Sequence, residues 1–152
     1  MSLFQITRRL EFDAGHRIPN HQGQCRHLHG HRYQIEVTLR GELNQSQGSS
    51  EEGMMMDFGH IKSIMQELII DPWDHSFFVA KIDTQLIEFL KTIPDHKTTI
   101  IDGVPTAENL AKIAFDLVAP VLLEKYLGRI RLYQLRLYET PNCWADIFDE
   151  PV

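Results

Sequence analysis

Cysteine is scarce in this 152-residue chain, which holds only Cys25 and Cys143. Two thiols do not make the disulfide framework that staples small secreted domains. No apolar run approaches the roughly 18 residues that cross a bilayer as a helix, and the start of the chain lacks the basic-then-apolar pattern of a signal peptide. Basic residues are outnumbered, 15 Lys and Arg against 21 Asp and Glu, giving a formal net charge of -6. That balance argues against broad binding to nucleic acid or to anionic membranes, and leaves room only for a local basic pocket that takes a phosphorylated small molecule. Internal repeats and dividing linkers are also lacking, so residues 1–152 read as one domain, long enough to bury a core without cross-links. With 43% hydrophobic and 24% charged residues the composition is that of a soluble globular protein, and the expected location is the cytoplasm.

What is present is alternation, and histidine placed in phase with it. From His31 to Arg40 the apolar residues Tyr33, Ile35, Val37 and Leu39 fall on odd positions and polar residues on even ones, the period of a half-buried strand. His29 and His31 share the apolar parity. In the first segment Phe4, Ile6, Leu10, Phe12 and Ala14 share even parity, interrupted only by Arg8, and His16 continues that register. Residues i and i+2 of a strand stand about 6.5 Å apart on one face, so His29 and His31 can lean on one ion at about 2.0–2.1 Å, with His16 beside them. Three histidines leave a fourth position open, the pattern of a catalytic rather than a structural zinc site. The competing reading is a set of inward histidines hydrogen-bonded in the core, or a polar loop.

Leu3–Ala14 and His31–Arg40 are expected strands, joined by the His- and Gly-rich stretch Gly15–Gly30. Asn44–Gly53 reads as a solvated loop. Asp57 is a candidate N-cap for a helix carrying Phe58, Ile61, Ile64, Met65, Leu68 and Ile69 at helical spacing and ending at Pro72. Asp83–Leu90 suits a short helix and Lys97–Ile101 a short extended piece. Thr106 caps a longer helix with an apolar stripe from Leu110 to Leu122, a kink at Pro120 and an end at Gly128. Ile130–Glu139 and Trp144–Phe148 form two more strands about a turn containing Pro141 and Asn142. The expected class is α+β, a four-stranded antiparallel sheet with helices packed on one face.

Other residues carry weaker signals. Cys25 precedes His29 by four residues and as a thiolate would serve as a base, although an isolated cysteine is also commonly a small buried thiol. Cys143 suits that second reading. Asp74-His75 is either an oriented acid–base pair or two loop residues. Glu139 shares parity with Tyr133, Leu135 and Leu137, so its carboxylate faces inward and needs donors, unless it caps the strand end in solvent. Adjacent N–H groups on the edge of a pyrimidine-type ring would supply two. Thr106 and Glu108 fit ordinary N-terminal helix chemistry. His21, His27 and His96 read as loop residues, and His60 as a first-turn helix residue.

Together these segments resemble the 6-pyruvoyl tetrahydropterin synthase and 6-carboxytetrahydropterin synthase family. The likeness rests on Phe12-Asp13-Ala14-Gly15-His16-Arg17, on Cys25-Arg26-His27-Leu28-His29-Gly30-His31, and on Met56-Asp57-Phe58. Asp74-His75, Pro105-Thr106-Ala107-Glu108-Asn109 and Glu139-Thr140-Pro141 follow in the family's order. Trp73 and Val79 depart from the pattern around the Asp-His pair. The resemblance implies a T-fold, with sheets of several subunits joined into a barrel, sites between subunits, and a homohexamer of two trimers. It further implies Zn2+ on His16, His29 and His31, with Cys25 moving a proton and Asp74-His75 as a relay. Glu139 would anchor a pterin ring, and Thr106 and Glu108 would shape its pocket. The implied reaction is zinc-dependent lyase conversion of 7,8-dihydroneopterin triphosphate to 6-carboxy-5,6,7,8-tetrahydropterin, acetaldehyde and triphosphate, in the queuosine precursor route. The alternatives are triphosphate elimination to 6-pyruvoyl tetrahydropterin and a non-catalytic zinc- or pterin-binding module.

Overall fold

Period-2 alternation builds the first two strands as the sequence leads one to expect. In the computed structural model, which describes residues 2–149, β1 (Phe4–His16) and β2 (His29–Gly41) pair antiparallel from Phe4↔Gly41 to His16↔His29. Phe12, Tyr33, Ile35, Val37 and Leu39 are buried on one face. The other face carries ion pairs, Arg9 with Glu36 at 2.7 Å and Arg32 with Glu11 and Asp13 at 3.0 and 2.8 Å. β5 (Ile130–Thr140) lies antiparallel to β2, and β6 (Cys143–Phe148) antiparallel to β5.

A register shift between Thr38 and Leu39 leaves Tyr133 out of the ladder, since Thr38 pairs with Gln134 and Leu39 with Leu132. This bulge separates Tyr133 from the inward set of Leu135 and Leu137, a correction to simple parity. The tyrosine ring instead packs 3.7 Å from the Arg40 guanidinium carbon and against Phe148.

The four antiparallel strands do not complete the sheet. β3 (Ser76–Ala80) adds in parallel to Ala14–His16 of β1, and β4 (Thr98–Ile101) in parallel to β3, giving a six-stranded mixed sheet of order β4-β3-β1-β2-β5-β6. β4 is the short extended piece read from Lys97–Ile101. β3 escaped the sequence because Ser-Phe-Phe-Val-Ala is enclosed on both sides and so shows no alternation. Within the described residues β3 covers only the last three residues of β1, so Phe4–Asp13 keep an open edge.

The helices cover one face. α1 (Phe58–Met65) starts at Asp57, whose carboxylate accepts from the Gly59 N–H at 2.6 Å. It continues through a π-turn at Gln66–Ile70 into α2 (Asp71–Trp73), so Pro72 lies inside the last turn and the helix ends one residue later. α3 (Thr84–Lys91) is capped by Asp83, and α4 (Ala107–Lys125) by Thr106. α4 carries Pro120 inside it, and the chain leaves it through Leu127 and Gly128 at positive φ, 51° and 76°. Ile61, Met65 and Ile69 join Leu110, Ala114, Val118 and Leu122 against the strands in one core. Trp73 packs edge-on to Phe12 and Phe78, while Val79 is buried with Leu86 and Leu90. The two residues that depart from the family pattern are therefore anchors on either side of Asp74-His75.

Candidate metal centre

Antiparallel pairing sets His16 directly opposite His29, and β2 alternation returns His31 to the same face two residues later. Their ring centroids lie 4.5 Å (His16–His29), 4.9 Å (His29–His31) and 5.1 Å (His16–His31) apart. Two backbone carbonyls orient the rings. The Nδ1–H of His16 donates to Pro105 O at 2.7 Å, and that of His29 to His27 O at 2.6 Å. With Nδ1 protonated, each Nε2 keeps its lone pair for the centre, the usual support of a metal-ligating imidazole. Tyr33 braces the cluster from below, edge-on to His16 and His31, with its hydroxyl 3.4 Å from His16 Nδ1.

The donors converge tightly. His16 Nε2 lies 2.9 Å from His29 Nε2, and Glu139 Oε1 lies 3.1 Å from His16 Nε2 and 3.2 Å from His31 Nε2. One donor atom from each of these four residues falls within 4.8 Å of all the others. His31 Nε2 is buried with no hydrogen-bond partner, because the nearby Glu139 oxygen is not aligned to make one. An orphaned buried nitrogen among three other donors fits a bound cation. Burial is the largest influence on His31 and lowers its pKa, assisted by its histidine neighbours and opposed by Glu139. The adjacent His16 ring, ahead of the other two histidines, holds the Glu139 carboxyl below its ordinary range. A neutral imidazole and an ionised carboxylate are the ligating forms.

Cys25 stands outside this group. It is half-buried in an otherwise exposed 3-10 turn, Gln24–Arg26, tied to the end of β1 by Ile18 N–H donating to Cys25 O at 2.8 Å. Burial, reinforced by the charges of Glu139 and Cys25, pushes the Tyr33 hydroxyl far above its ordinary pKa.

Asp74 and His75 do touch, Oδ2 to Nδ1 at 2.9 Å. The pair is clamped to β1: Asp13 N–H donates to Asp74 Oδ1 at 2.9 Å, and His75 N–H donates to Asp13 O at 2.6 Å. The Asp13 N–H is the main cause of a lowered Asp74 pKa, followed by His75. His75 adopts a left-handed φ of 61°, and its imidazole is 76% exposed. It lines a cavity of about 500 Å³ with Gly15, His29, Gly30, His31, Phe77 and His96. His75 is not among the four residues whose donor atoms converge, His16, His29, His31 and Glu139. A single chain therefore builds the relay pair beside the cluster without including it in the donor group.

Thr106 Oγ1 accepts from Asn109 N–H at 3.2 Å as the α4 cap, and Glu108 is exposed in the first helical turn. Their neighbour Pro105 supplies the carbonyl that orients His16, a role invisible in sequence because any residue has a carbonyl. Glu139 is the fourth donor that strand parity placed inward without saying what it would meet. His60 pairs with Glu51 at 2.8 Å, away from the cluster.

A family model described as 6-pyruvoyl tetrahydropterin synthase matches residues 5–150. The chain is 34% identical over 145 residues to the 6-carboxy-5,6,7,8-tetrahydropterin synthase of Rickettsia bellii, covering 95% of this chain and 100% of that protein. It is 30% identical over 147 residues to the enzyme of the same name from Haemophilus influenzae, covering 95% and 98%. Among solved structures, 6-pyruvoyl tetrahydropterin synthase of Caenorhabditis elegans superposes with a TM-score of 0.67 at 25% identity over 99% of this chain and 98% of that one. An uncharacterized protein of Wolinella succinogenes reaches a TM-score of 0.78 at 22% identity over 99% and 100%, a likeness of fold. The expected T-fold is thereby established.

Proposed function

This chain belongs to the 6-pyruvoyl tetrahydropterin synthase family, and we propose that it converts 7,8-dihydroneopterin triphosphate to 6-carboxy-5,6,7,8-tetrahydropterin, acetaldehyde and triphosphate with the aid of zinc, as a step toward queuosine. The observation that carries this reading is the convergence of three histidine Nε2 atoms, one of them buried and orphaned. Relatives named 6-carboxy-5,6,7,8-tetrahydropterin synthase at 30–35% identity over nearly the full chain support a product of that kind.

His16, His29 and His31 would hold the ion, which when bound supplies Lewis-acid polarisation of side-chain oxygens on the substrate. The remaining work belongs to other residues of the chain. The Cys25 thiolate takes a proton from the substrate side chain. Glu139 accepts from adjacent N–H groups of the pterin ring, and Thr106 and Glu108 shape the pocket at the start of α4. Asp74 fixes the Nδ1–H of His75, leaving Nε2 free to pass a proton. His75 is absent from the donor group of its own chain, and in the proposed assembly it acts at the centre of a neighbouring protomer. Pairing of the open β1 and β6 edges between protomers gives the barrel and removes an aggregation hazard, and the proposed assembly is a hexamer of two trimers. Among the described residues no helix is long and apolar enough to cross a membrane, which suits the proposed cytoplasmic setting.

Incubating zinc-loaded protein with dihydroneopterin triphosphate and weighing the pterin product by mass spectrometry tests the assignment. A 6-carboxy product with acetaldehyde is expected. A 6-pyruvoyl product would reassign the reaction within the family, and an unchanged substrate would leave a binding module.

A further inference from the structure

His75 is held in a conformation that L-residues seldom adopt. Its φ of 61° lies in the left-handed region, where Cβ crowds the backbone, so it persists only because the surroundings impose it. The two dihedrals that aim the Asp74-His75 pair, ψ of Asp74 (129°) and φ of His75, flank one peptide unit. That unit is gripped at both ends. Its N–H donates to Asp13 O at 2.6 Å, and its carbonyl, Asp74 O, accepts from Lys97 Nζ at 2.6 Å. The same ammonium donates to Asp71 O at 2.6 Å, closing the C-terminal end of α2, where a cation suits the helix dipole. Beyond His75 the main chain of Lys97 takes over, its carbonyl accepting from Phe77 N–H at 3.0 Å and from the Ser76 hydroxyl at 3.4 Å. One lysine, placed just before β4, therefore brackets His75 on both sides.

We propose that Lys97 is the positioning residue of the Asp74-His75 pair, acting on turnover only through that pair by locking the peptide that joins the two side chains. The proposal rests on the relay reading of Asp74-His75. Geometry rather than charge is what Lys97 supplies: the Asp13 N–H leads the causes that lower the Asp74 pKa, His75 follows, and Lys97 comes behind both. Asp13 holds the pair through main-chain groups, which a substitution leaves in place, so Lys97 is the side chain through which the grip is released. The parallel strands β3 and β4 thereby gain a role at the site, because their pairing brings Lys97 to the end of α2.

The test uses Lys97→Met and Lys97→Arg in the whole zinc-loaded protein. Lys97 is exposed and its main-chain bonds survive either change, so both variants are expected to fold and to hold zinc like the wild type. With dihydroneopterin triphosphate, Lys97→Met should lose about tenfold or more in kcat with KM little changed, because a misaimed pair is felt in the transition state and not in substrate binding. Lys97→Arg, which restores a cation and its donors, should regain part of that loss. In a His75→Ala background the Lys97→Met change should cost nothing further, the sign that it works through His75. Hydrogen exchange read by mass spectrometry needs no substrate: residues 71–77 should exchange faster in Lys97→Met while β2 stays protected. Wild-type kcat in Lys97→Met overturns the proposal, and so does a loss of equal size with and without His75. If the wild type leaves the substrate unchanged, the pterin reading falls by itself and the exchange of residues 71–77 decides. Faster exchange then keeps Lys97 as the group that holds the pair, and an unchanged rate removes it.

Discussion

Removing one imidazole from the cluster takes away a metal donor without touching the β2 ladder, which is held by backbone groups. His29→Ala and His31→Ala are therefore expected to lose bound zinc, read by metal analysis, while far-ultraviolet circular dichroism stays that of the folded sheet. Protons compete for the same lone pairs, and burial lowers the His31 pKa, so that nitrogen stays neutral to lower pH than a free imidazole. Zinc occupancy should hold at neutral pH and fall away below about pH 5 as protons displace the ion from its ligands. Stoichiometric zinc well below that range would argue against histidine ligation. Cys25 lies outside the donor group, so Cys25→Ala should retain zinc and pterin binding but lose about 10² or more in kcat. Loss of zinc instead would make the thiol a ligand, and near-normal turnover would leave proton transfer to the Asp74-His75 pair.

At the level of elements, the segment between the metal strands and α3 is held by a buried carboxylate. Asp83 takes a two-point hydrogen bond from Arg17, at 2.6 and 2.7 Å, and caps α3 through the Leu86 N–H. Arg17 follows His16 directly, so this pair ties the end of β1 to the start of α3. The Arg17 hydrogen bonds are the main reason the Asp83 carboxyl sits below its ordinary pKa. A depressed carboxyl pKa stabilises the fold at pH above the unfolded value and loses that contribution as pH falls through the folded one. Asp83→Asn should accordingly cost about 1–3 kcal/mol at neutral pH. The gap from wild type in urea melts should narrow as pH drops below about 4. A gap that is constant with pH would mean that the charge on Asp83 contributes nothing.

For the whole molecule, the decisive feature is that His75 is absent from the donor group its own chain assembles. If sites are completed by neighbouring protomers, two inactive variants can repair each other. A refolded equal mixture of His75→Ala and Cys25→Ala should regain about a quarter of wild-type activity, because random assembly gives that fraction of sites an intact residue from each side. Light scattering on the same sample should show the mass of an oligomer. A mixture as inactive as its parts would place both residues in one chain's site.

The period of a strand is a local property of the chain, which is why His16, His29 and His31 were legible as a cluster before any pairing was known. Helix caps at Asp57, Asp83 and Thr106 were legible for the same reason, since each acts within three residues. Register over longer distances was not. Tyr133 left its expected face because a bulge against β2 inserts one extra residue, and β3 gave no periodic sign because it is enclosed on both sides. The approach of Glu139 to histidines more than a hundred residues earlier depends on the pairing of β5 with β2. The turning of His16 by Pro105 O depends on where α4 docks, and backbone carbonyls carry no residue-specific signature. Sequence alone thus determined which side chains carry the chemistry and which face of their own strand they take. Only the tertiary structure decided what stands opposite them, because that is set by packing between segments whose local patterns are independent of one another.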